Sequence, residues 1–178
     1  GTGKSSLAKT LGTYLGTPVY VVNMATFSPD IIKTIQTISN NKTYPFIVLL
    51  EDIDYIFGKR TQDRTPQEKA NGNAILQLLD GVNGVSNVIF IATTNDISSL
   101  DAAICREGRF DIKINVDNIS KDMAENMIHG MNVTNHEAVA AILQDETFPI
   151  NPAHLQNKVI HYVFDHLDEF SFSTEGNL

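Results

Sequence analysis

The chain has 178 residues, 42% of them hydrophobic and 19% charged, the balance of a soluble globular domain, alone or with a small appendage. Its net charge of −8 argues against a general nucleic-acid surface, which needs clustered Lys and Arg, and no apolar run is long enough to span a bilayer. The single cysteine, Cys105, excludes an intrachain disulfide and suits a reducing, intracellular, cytoplasmic setting; within the apolar stretch AAIC it reads as a small buried side chain.

Apolar and polar segments alternate in a strand–helix rhythm. Residues 5–16, SSLAKTLGTYLG, carry apolar positions 7, 8, 11 and 15, a helical stripe closing at Gly16. PVYVVNM (18–24) reads as a strand by its Val and Tyr content. SPDIIKTIQTIS (28–39) predicts a helix with Ile31, Ile35 and Ile38 on one face, Ser28 as N-cap and Pro29 at the first helical position. PFIVLLEDID (45–54) is a nearly continuous apolar run, as in a central parallel strand. GKRTQDRTPQEKANGN (58–73) reads as a long polar loop, with weak order expected over residues 59–71. NAILQLLDG (73–81) predicts a helix ended by Gly81. NVIFIATTN (87–95) predicts a second buried strand, and DIKINV (111–116) a third, shorter one.

Beyond residue 118 the strand signals stop. ISKDMAENMIHGM spaces Met123, Met127 and Met131 as a core stripe on a helix. EAVAAIL (137–143) and NPAHLQNKVIHYVFDHLDEF (151–170) predict two more helices, and the tail 172–178 reads as frayed. The five histidines, at 129, 136, 154, 161 and 166, form no zinc-like pair, and no HExxH occurs. The organisation is an α/β core over 1–118 followed by a small helical unit over 119–178.

Four stretches carry chemistry. In GTGKSS, Gly1 sits at the fourth place of the phosphate-loop pattern GxxxxGK[ST], and Gly3, Lys4 and Ser5 fill its last three. Gly3 lets backbone amides close around phosphate oxygens, Lys4 supplies a cation, Ser5 offers a hydroxyl to magnesium, and the following helix adds its dipole. FIVLLEDID ends a buried strand in Glu51, Asp52 and Asp54, where a carboxylate can hold magnesium through water and another can polarise the attacking water. IATTND places Asn95 at the end of a second strand, a neutral amide able to bond both a γ-phosphate and a water. CREGRFD sets Arg106 and Arg109 around Gly108, two fixed forks of donors for developing phosphoryl charge. Each has a plainer reading: a glycine-lysine-serine surface loop, a polar strand end, and arginines paired locally to Glu107 or Asp111.

In order, the four stretches resemble the AAA family of ATPases, with GTGKSS as the end of Walker A, LLEDID as Walker B, IATTND as the sensor-1 strand and LDAAICREGRFD as the arginine-finger stretch. The resemblance covers almost the whole chain. It implies a P-loop αβα sandwich with a parallel sheet and a small C-terminal helical lid. It also implies that the loop is cut in half, that its strand belongs in the middle of a five-stranded sheet, and that the natural protein extends further toward the N-terminus, with membrane attachment there left open. ATP and Mg2+ are implied as cofactors, with Gly1, Thr2, Gly3, Lys4, Ser5 and Ser6 on the nucleotide, Ser5 and Glu51 on the metal, and Asp52, Glu51, Asn95, Arg106 and Arg109 in catalysis. A homo-oligomeric ring of six or seven subunits acting on a protein substrate is implied, and residues 59–71 are placed at its pore.

Two departures narrow the resemblance. The acidic pair reads Glu51-Asp52, inverted from the usual Asp-Glu, and FPINPAHLQ stands where many relatives carry a Gly-Ala turn. Both look like the subgroup typified by the mitochondrial ATPase that translocates the Rieske iron–sulfur subunit. NMATFSPDIIKTI also resembles that subgroup and lacks an aromatic-hydrophobic-Gly pore loop; Phe27 is the nearest substitute. Three functions fit: an ATP-hydrolysing remodeller or translocase of proteins, a nucleotide-gated assembly factor with slow turnover, and a DNA-dependent ATPase, against which the acidic composition weighs.

Overall fold

A computed structural model describes residues 1–58, 64–82 and 84–167. They divide into two compact units, Lys4–Ile114 on one side and Gly1–Gly3 with the chain from Asn115 on the other.

The first unit is built on a parallel sheet of β1 (Val19–Asn23), β2 (Phe46–Glu51) and β3 (Val88–Ala92), in the order β1-β2-β3. Val22 pairs with Leu50, and Leu50 with Ala92, so the three strands end close together. β2 is central and covered on both faces, which is why FIVLL is apolar without alternation and buried throughout. Phe46, Val48 and Leu50 pack on one face with Met24, Ile35, Ile75 and Leu78. α1 (Lys4–Tyr14) lies against β2, and buried Gly12 brings its backbone close to Val19 and Ile47. α2 (Asp30–Asn41), α3 (Asp54–Phe57) and α4 (Pro66–Leu79) complete the unit, whose α/β class and parallel sheet are those expected.

Several local expectations change. α4 begins at Pro66, so residues 66–72 are helix and not loop. Thr65 caps it through a reciprocal box with Glu68, and Pro66 occupies the first turn, a start signal present in the sequence as TPQE. Gly72 is buried against Ile56 and Phe57. The expectation of weak order for 59–71 therefore fails for residues 65–71, and residues 59–63 lie outside the described residues. Phe27 is a core residue at 7% exposure, its carbonyl accepting from Asn71 Nδ2. α2 starts at Asp30, one residue later than expected, because Ser28 and Pro29 form the turn that precedes it and no side chain caps the helix. β3 is only partly buried, with Ile89 on its open face.

Residues 111–116 form no strand, and Ile112 and Ile114 are 82% and 71% exposed. Their alternation is of strand type, but a strand exists only through a ladder with a neighbour, and none of the described strands pairs with them.

The second unit holds α5 (Lys121–Gly130), α6 (His136–Leu143) and α7 (Pro152–Asp165). Its core is Ala124, Ile128, Val133, Val139, Ile142, Leu155 and Val159 with their neighbours. The expected methionine stripe is rotated: Ala124 and Ile128 are fully buried, Met127 and Met131 flank them, and Met123 is 56% exposed. The small Ala124 lets the helix approach its neighbours closely, which is where the buried face settles. Ile119 and Ile150 pair in a single antiparallel bridge, and Asn151 caps α7 directly after the FPI stretch. Among the described residues no helix is long and apolar enough to cross a membrane.

Candidate active site

Some of the predicted residues lie at the C-terminal edge of the sheet: Glu51 and Asp52 at the end of β2, and Asn95 just beyond β3, bonded to Lys4. In open α/β sheets ligands bind outside the carboxyl ends of the strands, where helix N-termini also point. α1 opens at Lys4, immediately after Gly3, whose φ of +95° lies in the region that favours glycine. Lys4 Nζ reaches across to the end of β3 and donates to Asn95 Oδ1 at 2.9 Å. Phosphate-loop lysine and strand-end amide, 91 residues apart in sequence, thus meet directly.

The acidic stretch lies beside them. Glu51 ends β2 and is half-buried, whereas Asp52 is exposed. Asp52 adopts φ +56°, a left-handed conformation that Asp tolerates better than most residues. Three bonds to Thr93 hold the turn: Thr93 N–H donates to Leu50 O (3.0 Å), Asp52 N–H donates to Thr93 Oγ1 (3.2 Å), and Ile53 N–H donates to Thr93 O (3.0 Å). Next door, Thr94 Oγ1 donates to Asp54 Oδ1 at 2.9 Å and accepts from Asp96 N–H. The third carboxylate of LLEDID is therefore engaged at the start of α3, whereas the Glu51 and Asp52 carboxylates have no hydrogen bond among the described residues.

Thr93 and Thr94 were not among the residues singled out from the sequence. The available signal was a hydroxyl doublet between a buried strand and Asn95. Read as strand propensity, it concealed a side chain 6% exposed with a polar partner.

The two arginines separate. Arg109 donates from Nε and Nη2 to both carboxylate oxygens of Asp80, at 2.7 and 2.8 Å, and from Nη1 to Ala103 O. Its side chain is 12% exposed. The Arg109 bond holds the Asp80 carboxyl below the usual carboxylate range, and Asp80 in turn raises the guanidinium. Asp80 is the C-cap of α4, a partner that spacing did not suggest in place of Glu107 or Asp111. Asp111 instead accepts from Gly108 N–H at 2.8 Å. Arg106 is exposed and has no ion pair among the described residues.

Gly1 and Thr2 group with the other unit, and Thr2 Oγ1 is buried without a hydrogen-bond partner among the described residues. Ser5 is half-buried in the first turn of α1, and Ser6 is exposed there.

The chemistry of this set suits a triphosphate and a magnesium ion. The cation Lys4 and the neutral amide Asn95 meet directly, the Ser5 hydroxyl follows Lys4 in the first turn of α1, and the Asp52 turn is tied through Thr93 to the segment that carries Asn95. Lys4 has three donors and can keep Asn95 while bonding an anion.

A family model described as "ATPase family associated with various cellular activities (AAA)" matches residues 1–118. The chain is 35% identical over 132 residues to a Dictyostelium discoideum protein described as "Probable mitochondrial chaperone BCS1-A", covering 70% of this chain and 31% of that one. It is 32% identical over 150 residues to the ATP-dependent zinc metalloprotease FtsH of Malacoplasma penetrans, covering 78% of this chain and 18% of that one. It is 34% identical over 122 residues to Protein SAV of Sulfolobus acidocaldarius, covering 65% and 16%. The chain thus spans less than a third of the length of each of these relatives. The subgroup suggested by the inverted acidic pair is represented among them by the BCS1-type chaperone. With residues 1–118 matched by that family model, the chain belongs to the AAA family of ATPases, nucleotide-binding hydrolases that use ATP with Mg2+.

Proposed function

We propose that this chain is the motor portion of a ring-forming protein that uses ATP hydrolysis to remodel or translocate protein substrates. The observation that carries the ATPase centre is the Lys4–Asn95 bond beside the Thr93-held turn of Asp52. The protein-directed activity is supported by relatives described as a chaperone and as an ATP-dependent metalloprotease.

When bound, Mg-ATP supplies a γ-phosphoryl group open to attack by water. Lys4 neutralises charge on the β and γ phosphates, and the free first-turn amides of α1 add the helix dipole. Ser5 and, through water, Glu51 would hold the magnesium, which would neutralise phosphate charge. Asp52 would accept a proton from the attacking water at its carboxylate as the bond from the γ-phosphorus to the β–γ bridging oxygen breaks and ADP leaves, and Asn95 would orient that water without adding negative charge. Asp52 is a methylene shorter than the glutamate common in this role, and its left-handed turn offers a different approach to the same space.

Arg106 is the arginine offered to a neighbouring subunit, because Arg109 is engaged within its own chain by Asp80. The segment from residue 119 acts as the helical lid. A closed ring of six or seven subunits is the assembly proposed, an arrangement in which every site can receive a finger from its neighbour.

The test is a mixing experiment on the full-length protein. Arg106→Ala and Lys4→Ala subunits, each inactive alone in phosphate release, are combined after mixed assemblies have been demonstrated by pull-down. Recovery of hydrolysis is expected. Mixed rings with no recovery overturn the trans assignment.

A further inference from the structure

We infer that Thr93 is a positioning residue for hydrolysis, and that its hydroxyl aims the Asp52 carboxylate by fixing the backbone turn on which Asp52 sits. The inference rests on the proposed role of Asp52 as the group that polarises water.

One buried residue, Thr93, supplies three of the bonds that hold this turn, and Tyr55 N–H adds another to the Asp52 carbonyl. Thr93 engages Leu50, Asp52 and Ile53 through its N–H, its hydroxyl and its carbonyl. The outer two bonds continue the pairing of β3 with the end of β2, and any residue but proline can make them. Only the middle one depends on the side chain. In the Leu50–Ala92 register the next ladder bond would run from Asp52 N–H to Thr93 O; Ile53 N–H takes that carbonyl, and the Asp52 amide, on a residue at φ +56°, is left without a strand acceptor. Thr93 Oγ1 replaces the missing acceptor at 3.2 Å. A left-handed non-glycine residue persists only where its surroundings over-determine it. Here the side-chain part of that determination comes from a hydroxyl 41 residues away, in the segment after β3 that also carries Asn95.

The neighbouring side chain serves the next segment. Thr94 holds Asp54 at the start of α3, so Thr93, Thr94 and Asn95 make contacts, in order, to the Asp52 turn, to α3 and to Lys4. Thr93 is buried at 6% exposure and its hydroxyl bonds the Asp52 amide, so its effect passes through Asp52. A misplacement of about 1 Å at a reacting group can cost on the order of 100-fold in rate.

Thr93→Val keeps the β-branched shape and removes the acceptor. It is expected to lower kcat by about 10- to 100-fold while affinity for a fluorescent ATP analogue stays within about twofold. Thr93→Ser restores the hydroxyl and is expected to recover most of the rate. The direct readout is amide hydrogen exchange at Asp52, faster in Thr93→Val and near the parent in Thr93→Ser, with Thr94→Val as a neighbouring control that leaves the Asp52 amide protected. If Thr93→Val does not fold, Thr93→Ala against Thr93→Ser gives the same contrast. Parent-like kcat in Thr93→Val, or an unchanged Asp52 amide, overturns the inference. Asp52→Asn run alongside separates the two readings: a stalled Asp52→Asn with an active Thr93→Val sinks only the positioning role, whereas an active Asp52→Asn sinks the assignment on which it rests.

Discussion

Lys4 Nζ and Asn95 Oδ1 are 2.9 Å apart, so the cation of the phosphate loop and the neutral amide of the neighbouring strand end already point into one space. The bond ties α1 to β3 and orders a lysine that would otherwise sample many rotamers.

Replacing either partner separates charge from orientation. Lys4→Ala is expected to abolish binding of a fluorescent ATP analogue with unchanged far-UV circular dichroism. Asn95→Asp keeps the contact and converts it to an ion pair, placing negative charge where phosphate must come. Its nucleotide affinity is expected to fall by about tenfold or more, whereas Asn95→Ala lowers turnover more than affinity. Normal ATP binding by Lys4→Ala would remove the phosphate-loop assignment.

The inverted acidic pair predicts different defects at adjacent residues. Asp52→Asn keeps shape and loses the charge that accepts a proton, so it is expected to bind Mg-ATP and stall. Glu51→Gln is expected to weaken magnesium-dependent binding instead. Binding titrations with and without Mg2+, paired with phosphate release, distinguish them; exchanged phenotypes would reverse the roles.

Arg106 and Arg109 are predicted to differ in kind. Arg106→Ala is expected to lose hydrolysis by ~10³-fold or more with folding intact, the scale of a lost arginine finger. Arg109→Ala strands Asp80 and frees the Ala103 carbonyl, so a lower melting temperature is expected with it. The double exchange Asp80→Arg with Arg109→Asp tests the pair by partial recovery of that temperature. An Arg109→Ala protein as stable as the parent would show the pair to be dispensable.

Gly12 tests the docking of α1. A Cβ there would stand 2.2 Å from Val19 Cγ2 and 3.0 Å from Thr17 O. Gly12→Ala gains up to about 1 kcal/mol in helix propensity. It must also displace a β-branched side chain on a strand and a backbone carbonyl, an overpacking cost of about 1–3 kcal/mol. The clash wins, and urea denaturation is expected to show net destabilisation.

Acid sensitivity is predicted in the helical unit. Glu146 accepts from Lys158 Nζ at 2.7 Å and faces His154 Nε2 at 3.3 Å. The Lys158 bond first, and His154 after it, hold the Glu146 carboxyl below its ordinary value of 4.5. A carboxylate lowered by folding stabilises fully above its unfolded value, and that contribution is lost as pH falls through the lowered one. Protection of α7 amides is thus expected to decline as pH drops below about 4.5, and Lys158→Met is expected to flatten the decline. An identical profile in the variant would assign the acid response elsewhere.

Much was legible in the residues themselves. Unbroken apolar character in FIVLL requires a strand covered on both faces, and GKSS, LLEDID and ATTND can each be read because a strand end or helix start follows from local pattern. These stretches determined the α/β class, the nucleotide chemistry and the family. The pattern also held signals that were passed over, such as the TPQE start of α4.

Tertiary structure decided the pairings. Arg109 had carboxylates two residues away on both sides, at Glu107 and Asp111, yet it bonds Asp80, 29 residues back, because the end of α4 brings both oxygens into the plane of its fork. Thr93 acts on Asp52 only because β3 lies against β2 in that register. Ile112 and Ile114 carry strand propensity without a ladder to realise it, and Met123 yields the buried face to Ala124. Composition and spacing name the groups and the faces available to them. Which donor meets which acceptor depends on distances between elements, and those are set by the packing of side chains far apart in the sequence.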